Sequence, residues 1–186
     1  MEETELVIRL RQKDEAAFKW LVDSYRNKVF ATVLNILQDS EDAEDSAQEV
    51  FIQVYESIHS FKQQSALSTW IYRIAVRKAL DKLRKRKTRT QLAKLLPWWM
   101  PDERKSRDNT FYHPGIQAEN KQRAAALFKA IDSLPERQRI AFTLIKVQNM
   151  NYEEAGAIME QGVKALESLI SRAKQNLQKQ LKHIVQ

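Results

Sequence analysis

The side chains that most often carry covalent chemistry are scarce in these 186 residues. There is no Cys, hence no thiol nucleophile, Cys-ligated zinc or disulfide framework. The three histidines, His59, His113 and His183, sit in no catalytic motif. Gly115, Gly156 and Gly162 stand apart, so no glycine-rich loop can cradle a phosphate. One carboxylate constellation deserves weighing: Asp42, Asp45 and Glu49 are spaced i, i+3 and i+7, on one face of any helix through them. A metal-dependent nuclease could use such residues. A two-metal site, however, needs ligands converging from several elements, often with His, and that geometry argues against an enzyme. Neither a metal nor a cofactor is expected.

What the chain does supply is ionic chemistry. Its formal net charge is +7, from 31 Lys and Arg against 24 Asp and Glu. The distribution matters more than the total. From Asp39 to Glu56 there are seven acids and no base; from Arg77 to Arg89 there are eight bases and one acid, Asp81. Runs of one sign repel internally, so each is either a solvated face or a surface for a partner of opposite charge. Two opposite blocks in one small domain suggest one face for a basic partner and another for a polyanion.

The elements that must carry these residues read as helices. Only three Gly and four Pro occur, and none of them before Pro97, which excludes the regularly spaced turns of a sandwich or barrel. A short helix fits Thr4–Gln12, and Asp14 can cap a longer one to about Leu37. Phe18, Leu21, Val22, Tyr25, Val29 and Val33 recur there at helical spacing. Asp39 or Ser40 caps the next helix, whose acidic first turn suits the positive end of its dipole. After a polar break at Lys62–Ser65, another helix starts near Ser68 and runs to about Arg86. Residues 88–117 hold three of the four prolines and read as a linker of about 30 residues, too long for a connection inside one compact domain. Within it, Trp98-Trp99 either pack back on a domain or meet a partner.

Helical patterning resumes near Ile116, with helices expected to Ser133, from Pro135 to about Val147, over Asn151–Met159, and from Val163 to about Leu181. Asn151 and Glu154 form a capping-box pattern. The short joint Glu160-Gln161-Gly162 between two helices is the signature of a helix–turn–helix. Leu166, Ile170, Ala173 and Leu177 make its inner stripe, leaving Lys164, Glu167, Ser168, Ser171 and Arg172 facing elsewhere, where a recognition helix reads base edges and phosphates. A hairpin with a merely solvated outer face has the same pattern; the +4 surplus of residues 118–186 favours DNA.

Four motifs then resemble one family, the extracytoplasmic-function (ECF) group of bacterial RNA polymerase sigma factors, along almost the whole chain. They are Asp42-Ala43-Glu44-Asp45-Ser46-Ala47-Gln48-Glu49-Val50-Phe51; Ser68-Thr69-Trp70-Ile71-Tyr72-Arg73-Ile74-Ala75 with Asp81 and Leu83-Arg84; Leu134-Pro135-Glu136-Arg137-Gln138-Arg139; and Tyr152-Glu153-Glu154 with Ser168 and Arg172-Ala173-Lys174. The resemblance implies an all-α, two-domain chain: 1–93 as sigma region 2, 94–117 as a flexible linker, and 118–186 as the region 4 helix–turn–helix. It implies that Asp42, Glu44, Asp45, Gln48 and Glu49 dock on the clamp coiled-coil of the polymerase's largest subunit. It implies −10 promoter contacts by Lys62, Ser65, Ser68, Trp70, Arg73, Arg77, Lys78, Lys82, Arg84 and Lys85, joined by Arg86, with the joint Phe61–Ser68 holding a flipped base. Trp70 reads either as a wedge at melted DNA or as core. The −35 element falls to Lys164, Glu167, Ser168, Ser171, Arg172 and Lys174.

Where the family has Asn, this chain has Arg77, which suits a phosphate grip; where it has Gly-Ile-Ser in the turn, this chain has Glu160-Gln161-Gly162. The expected partners are core RNA polymerase and promoter DNA, with an anti-sigma factor a common family arrangement. The acidic N-terminus and the lack of a long apolar run point to a soluble intracellular protein without membrane insertion, and the resemblance implies the bacterial cytoplasm. The competing reading is a polymerase-independent helix–turn–helix regulator. It accounts for residues 118–186 but leaves the two charge blocks of the first domain without a use.

Overall fold

Among the described residues, three helix starts are fixed by a side-chain cap from the adjoining residue: Asp14, Asp39 and Asn151. The computed structural model describes residues 2–93 and 118–182 and places eight α-helices there. The expected linker and Trp98-Trp99 lie outside the described residues. Helix α1 (Glu3–Arg11) leads into α2 (Glu15–Leu37), whose first amides donate to the Asp14 carboxylate. Asp39, rather than Ser40, caps α3 (Ser40–Ser57) by accepting from the Asp42 amide at 2.8 Å. A 3-10 turn, Ile58–Ser60, ends α3, and the polar joint follows with Gln63 in the left-handed region. Helix α4 spans Leu67–Ala93. It runs about two turns past the end expected at Arg86, because Lys87–Ala93 contain no breaker and every one of them is compatible with a helix.

Helices α2, α3 and α4 pack into a bundle, with α1 laid across one end. Leu21, Val29, Val33, Val50, Val54, Ile71 and Ala75 are fully buried in it, as the helical spacing requires. The second domain consists of α5 (Ala118–Asp132), α6 (Glu136–Phe142), α7 (Tyr152–Met159) and α8 (Val163–Leu181). Two details depart from expectation. Pro135 is the residue before α6 rather than its first helical position, and α6 continues as a π-helical turn, Thr143–Val147. One small core gathers Ala130, Ile131, Leu134, Ala173 and Leu177. Other buried apolar side chains of the second domain, among them Ile140, Leu144, Ile145, Ile158 and Leu166, belong to the same apolar cluster as the first bundle. The two domains therefore pack against each other. No helix among the described residues is long and apolar enough to cross a membrane.

Candidate nucleic-acid interface

The two opposite charge blocks lie on adjacent helices, and part of each is spent on the other. Asp42 is buried, and its carboxylate accepts from Arg86 Nε at 2.6 Å, from Arg86 Nη2, and from Lys82 Nζ at 3.1 Å. Arg86 also reaches Asp39 at 3.3 Å and donates to the Leu37 carbonyl at 3.0 Å. Further out, Lys82 lies 3.7 Å from Asp45, and Lys78 lies 3.3 Å from Glu49. Burial pushes the Asp42 carboxyl up, but hydrogen bonds from Arg86 and Lys82, helped by their charges, outweigh it and hold the group below the usual Asp range. The carboxylates of the i, i+3, i+7 set thus meet bases of α4. Asp42, expected on the polymerase-facing surface, is an internal clasp between α3 and α4, and Lys82 and Arg86 serve that clasp from the other side.

Of the expected docking residues on α3, Glu44, Asp45, Gln48 and Glu49 are exposed, with Ile52 on the same face and more than half exposed. This is an acidic surface with one apolar side chain in it. On α4 the exposed bases include Arg77, Arg84 and Lys85, while Arg73, Lys78 and Lys82 are half-buried.

The joint before α4 is held from an unexpected direction. The Leu67 amide, at the start of α4, donates to Glu3 Oε1 of α1 at 2.9 Å. The Phe61 carbonyl accepts from Arg11 at 2.6 Å, and the Tyr55 carbonyl accepts from Lys13, whose ammonium also lies 3.9 Å from the Tyr55 ring centre. Helix α1 therefore pins both ends of the segment that carries Lys62 and Ser65. A sequence signal existed: the residue before Leu67 is Ala66, which has no side-chain acceptor, so α4 had to borrow one. Lys62 and Gln64 are exposed, and Ser65 and Ser68 are half-buried. Trp70 is half-buried, its ring 5.2 Å from that of Phe61 at 35°, so it both lines the joint and packs on the core.

In the second domain, Asn151 Oδ1 accepts from the Glu154 amide at 2.8 Å, and Glu154 accepts from the Asn151 amide at 2.9 Å, completing the capping box. The turn that follows depends on a different glycine from the one that marks it. A Cβ on Gly156 would stand 2.7 Å from the Gln161 carbonyl oxygen, whereas one on Gly162 would meet nothing within 4 Å. Glu160 itself takes the left-handed conformation that ends α7. Leu166, Ile170, Ala173 and Leu177 are the buried residues of α8. Lys164, Glu167, Ser171, Arg172 and Lys174 are exposed on its outside, and Ser168 is half-buried. A helix–turn–helix with an open polar second helix, beside a bundle with a basic helix and an acidic one, is the arrangement of a DNA-binding protein.

Comparison with known proteins gives the same answer from the whole chain. Residues 21–89 match the family model "Sigma-70 region 2", and residues 124–177 match "Sigma-70, region 4". The chain is 33% identical to the ECF RNA polymerase sigma-E factor of Haemophilus influenzae, over 97% of this chain and 95% of that protein. It is 30% identical to the RNA polymerase sigma-H factor of Pseudomonas aeruginosa, over 99% of this chain and 96% of that protein. Two solved structures share the fold. CnrH in complex with the cytosolic domain of CnrY has a TM-score of 0.71 at 19% identity, covering 97% of each chain. The sigma factor RpoE of Bartonella quintana, in complex with the anti-sigma factor NepR, has a TM-score of 0.70 at 24% identity, covering 89% of this chain and 96% of that one. The chain belongs to the ECF sigma factors of the sigma-70 family.

Proposed function

We propose that this chain binds core RNA polymerase through the exposed acidic face of α3 and directs initiation at promoters that its two basic surfaces read. Glu44, Asp45, Gln48 and Glu49 form the docking face, with Ile52 as its apolar centre. Such a face steers toward a basic partner, and the clamp coiled-coil of the largest subunit is that partner in this reading. Residues 1–93 act as the −10 module and residues 118–186 as the −35 module, with 94–117 passing between them along the polymerase. Lys78, Arg84 and Lys85 hold backbone phosphates, and Ser65, Ser68 and Trp70 surround the base taken out of the stack. On α8, Lys164 and Lys174 hold backbone, and Ser168, Ser171 and Arg172, with Glu167, face base edges.

The observation that carries this reading is the division of α3: Asp42 is consumed by α4, while Glu44, Asp45 and Glu49 stay exposed even though Lys82 and Lys78 reach the last two. The protein supplies promoter specificity and performs no bond chemistry itself, so it needs no cofactor. Its workplace is the bacterial cytoplasm, where the polymerase is. The partners in the solved relatives' complexes support an anti-sigma factor as a further partner class. The test is a titration of core polymerase with labelled protein. Reversing Asp45 and Glu49 to Lys abolishes binding and leaves the circular dichroism spectrum unchanged. Unchanged affinity in that variant overturns the docking face.

A further inference from the structure

Helix α1 lies before the residues that match region 2, which begin at 21, yet it holds the joint between α3 and α4. The joint runs from Phe61 to Leu67, both buried, and Lys62, Gln63 and Gln64 between them are exposed. It contains no Gly, and Gln63 stands in the left-handed region at φ 56°. A residue with a Cβ is strained there and stays only where its surroundings fix it. The core supplies one part of that constraint, through the Phe61 and Leu67 side chains and the Trp70 ring beside Phe61. Helix α1 supplies the other, through the backbone. Arg11 Nη2 donates to the Phe61 carbonyl at 2.6 Å, at the start of the joint, and Glu3 Oε1 accepts from the Leu67 amide at 2.9 Å, at its end. The Arg11 contact is the firmer, because Arg11 is half-buried whereas Glu3 is exposed. Arg11 Nε is buried with no hydrogen-bond partner among the described residues, which costs free energy in the position that Arg11 keeps. Leu6, Val7 and Leu10 are buried in the core, so α1 offers both groups from a fixed base.

We propose that Arg11 and Glu3 are positioning residues for promoter reading: they fix the shape of the joint that holds the flipped −10 base, and so set how sharply that base is discriminated. The proposal rests on the reading of Phe61–Ser68 as the base pocket. In this role neither residue needs to touch the base. A pocket that tells bases apart by hydrogen bonds must hold its donors and acceptors to within about 0.5 Å, since a displaced group meets right and wrong bases alike. Phosphate contacts tolerate more displacement, because they act as charge. Releasing the joint therefore loses selectivity at one base position and leaves the rest of the −10 contact, made by α4, in place. A purely structural role for the same bonds would weaken every position together.

The test uses holoenzyme assembled from core polymerase and the full chain. It binds single-stranded non-template −10 oligonucleotides randomised one position at a time, and sequencing gives the ratio of best to worst base at each position. Arg11→Ala lowers that ratio about three- to tenfold at one position, a part of what a hydrogen bond to a charged group is worth, and changes the other ratios and the affinity for the best sequence by less than about twofold. Glu3→Ala gives a smaller loss at the same position. Arg11→Lys, which keeps a charged donor for the Phe61 carbonyl, restores most of the ratio. Lys19→Ala, which removes the same charge from an exposed site on α2, leaves all ratios unchanged. Unchanged ratios in Arg11→Ala, or an equal loss at every position, overturn the proposal. Where Arg11→Ala fails to assemble, Glu3→Ala decides in its place by the same criterion. Gln64→Ala with Ser65→Ala, in the joint itself, isolates the underlying reading. If that variant keeps every ratio, the joint is not the base pocket; if it changes one ratio while Arg11→Ala changes none, the positioning role alone is wrong.

Discussion

Replacing Asp42 by Asn separates the two roles that an acidic residue on α3 can have. Asp42 accepts from both Arg86 and Lys82 and is 4% exposed, while its two partners are each 29% exposed at the side chain. Asn keeps the size and one acceptor but removes the charge. A fully buried pair broken in this way costs about 3–5 kcal/mol, and a hydrogen bond to a charged group about 1.5–3 kcal/mol. Because Arg86 and Lys82 retain some solvent, the loss here is about 2–3 kcal/mol. For a chain of this size that lowers Tm by about 4–12 °C. Thermal melting followed at 222 nm gives the shift, and a parallel titration with core polymerase at 20 °C gives the affinity, which stays within about twofold of wild type.

The effect has a pH signature. The folded carboxyl titrates below its unfolded value, so its contribution is complete above the unfolded value near pH 4 and is lost as pH falls through the folded one. The Tm gap between Asp42→Asn and wild type is therefore constant at neutral pH and narrows below about pH 4. A variant that melts like wild type but binds polymerase tenfold more weakly refutes the clasp and returns Asp42 to the docking face.

Other substitutions follow from the same geometry. Gly156→Ala drives a methyl group against the Gln161 carbonyl, costs about 1–3 kcal/mol, and weakens −35 binding; Gly162→Ala, with open space around it, leaves melting within about 1 °C of wild type. Glu3→Ala removes the acceptor that caps α4 from α1 and lowers Tm by about 2–4 °C, with Glu3→Gln restoring most of it. Changing Ser168 or Arg172 alters base preference in the −35 element but leaves −10 preference intact, as read by selection from randomised promoters; a change confined to −10 reverses the assignment of the two domains. Binding of −10 DNA by holoenzyme falls steeply with salt, and Arg84→Ala makes the slope of log affinity against log salt shallower by about 0.7.

The features legible in the sequence are those whose partners lie within a turn or two. The Asp14 and Asp39 caps, the Asn151–Glu154 box and the buried stripe of α8 are local, so residue type and spacing decide them. The clasp is not local: Asp42 and Arg86 are 44 residues apart, and a charge count cannot tell a partner surface from an internal pair. The same holds for Glu3 on Leu67, 64 residues away. Gly162 marks the joint, and the small residues Ala155 and Gly156 mark a close crossing of its two helices; the packing of the turn adds that the contact is Gly156 against the Gln161 carbonyl. Arg77 and Glu160 both stood out as departures from the family's usual residues, and the structure pairs them.

The central claim, that this chain lends promoter specificity to RNA polymerase, is tested most directly by run-off transcription. Core polymerase is incubated with the purified chain on genomic promoter fragments. The account predicts discrete transcripts that appear only when the chain is added and that disappear with Asp45→Lys and Glu49→Lys. No stimulation from any promoter, or transcripts unaffected by those two changes, contradicts it.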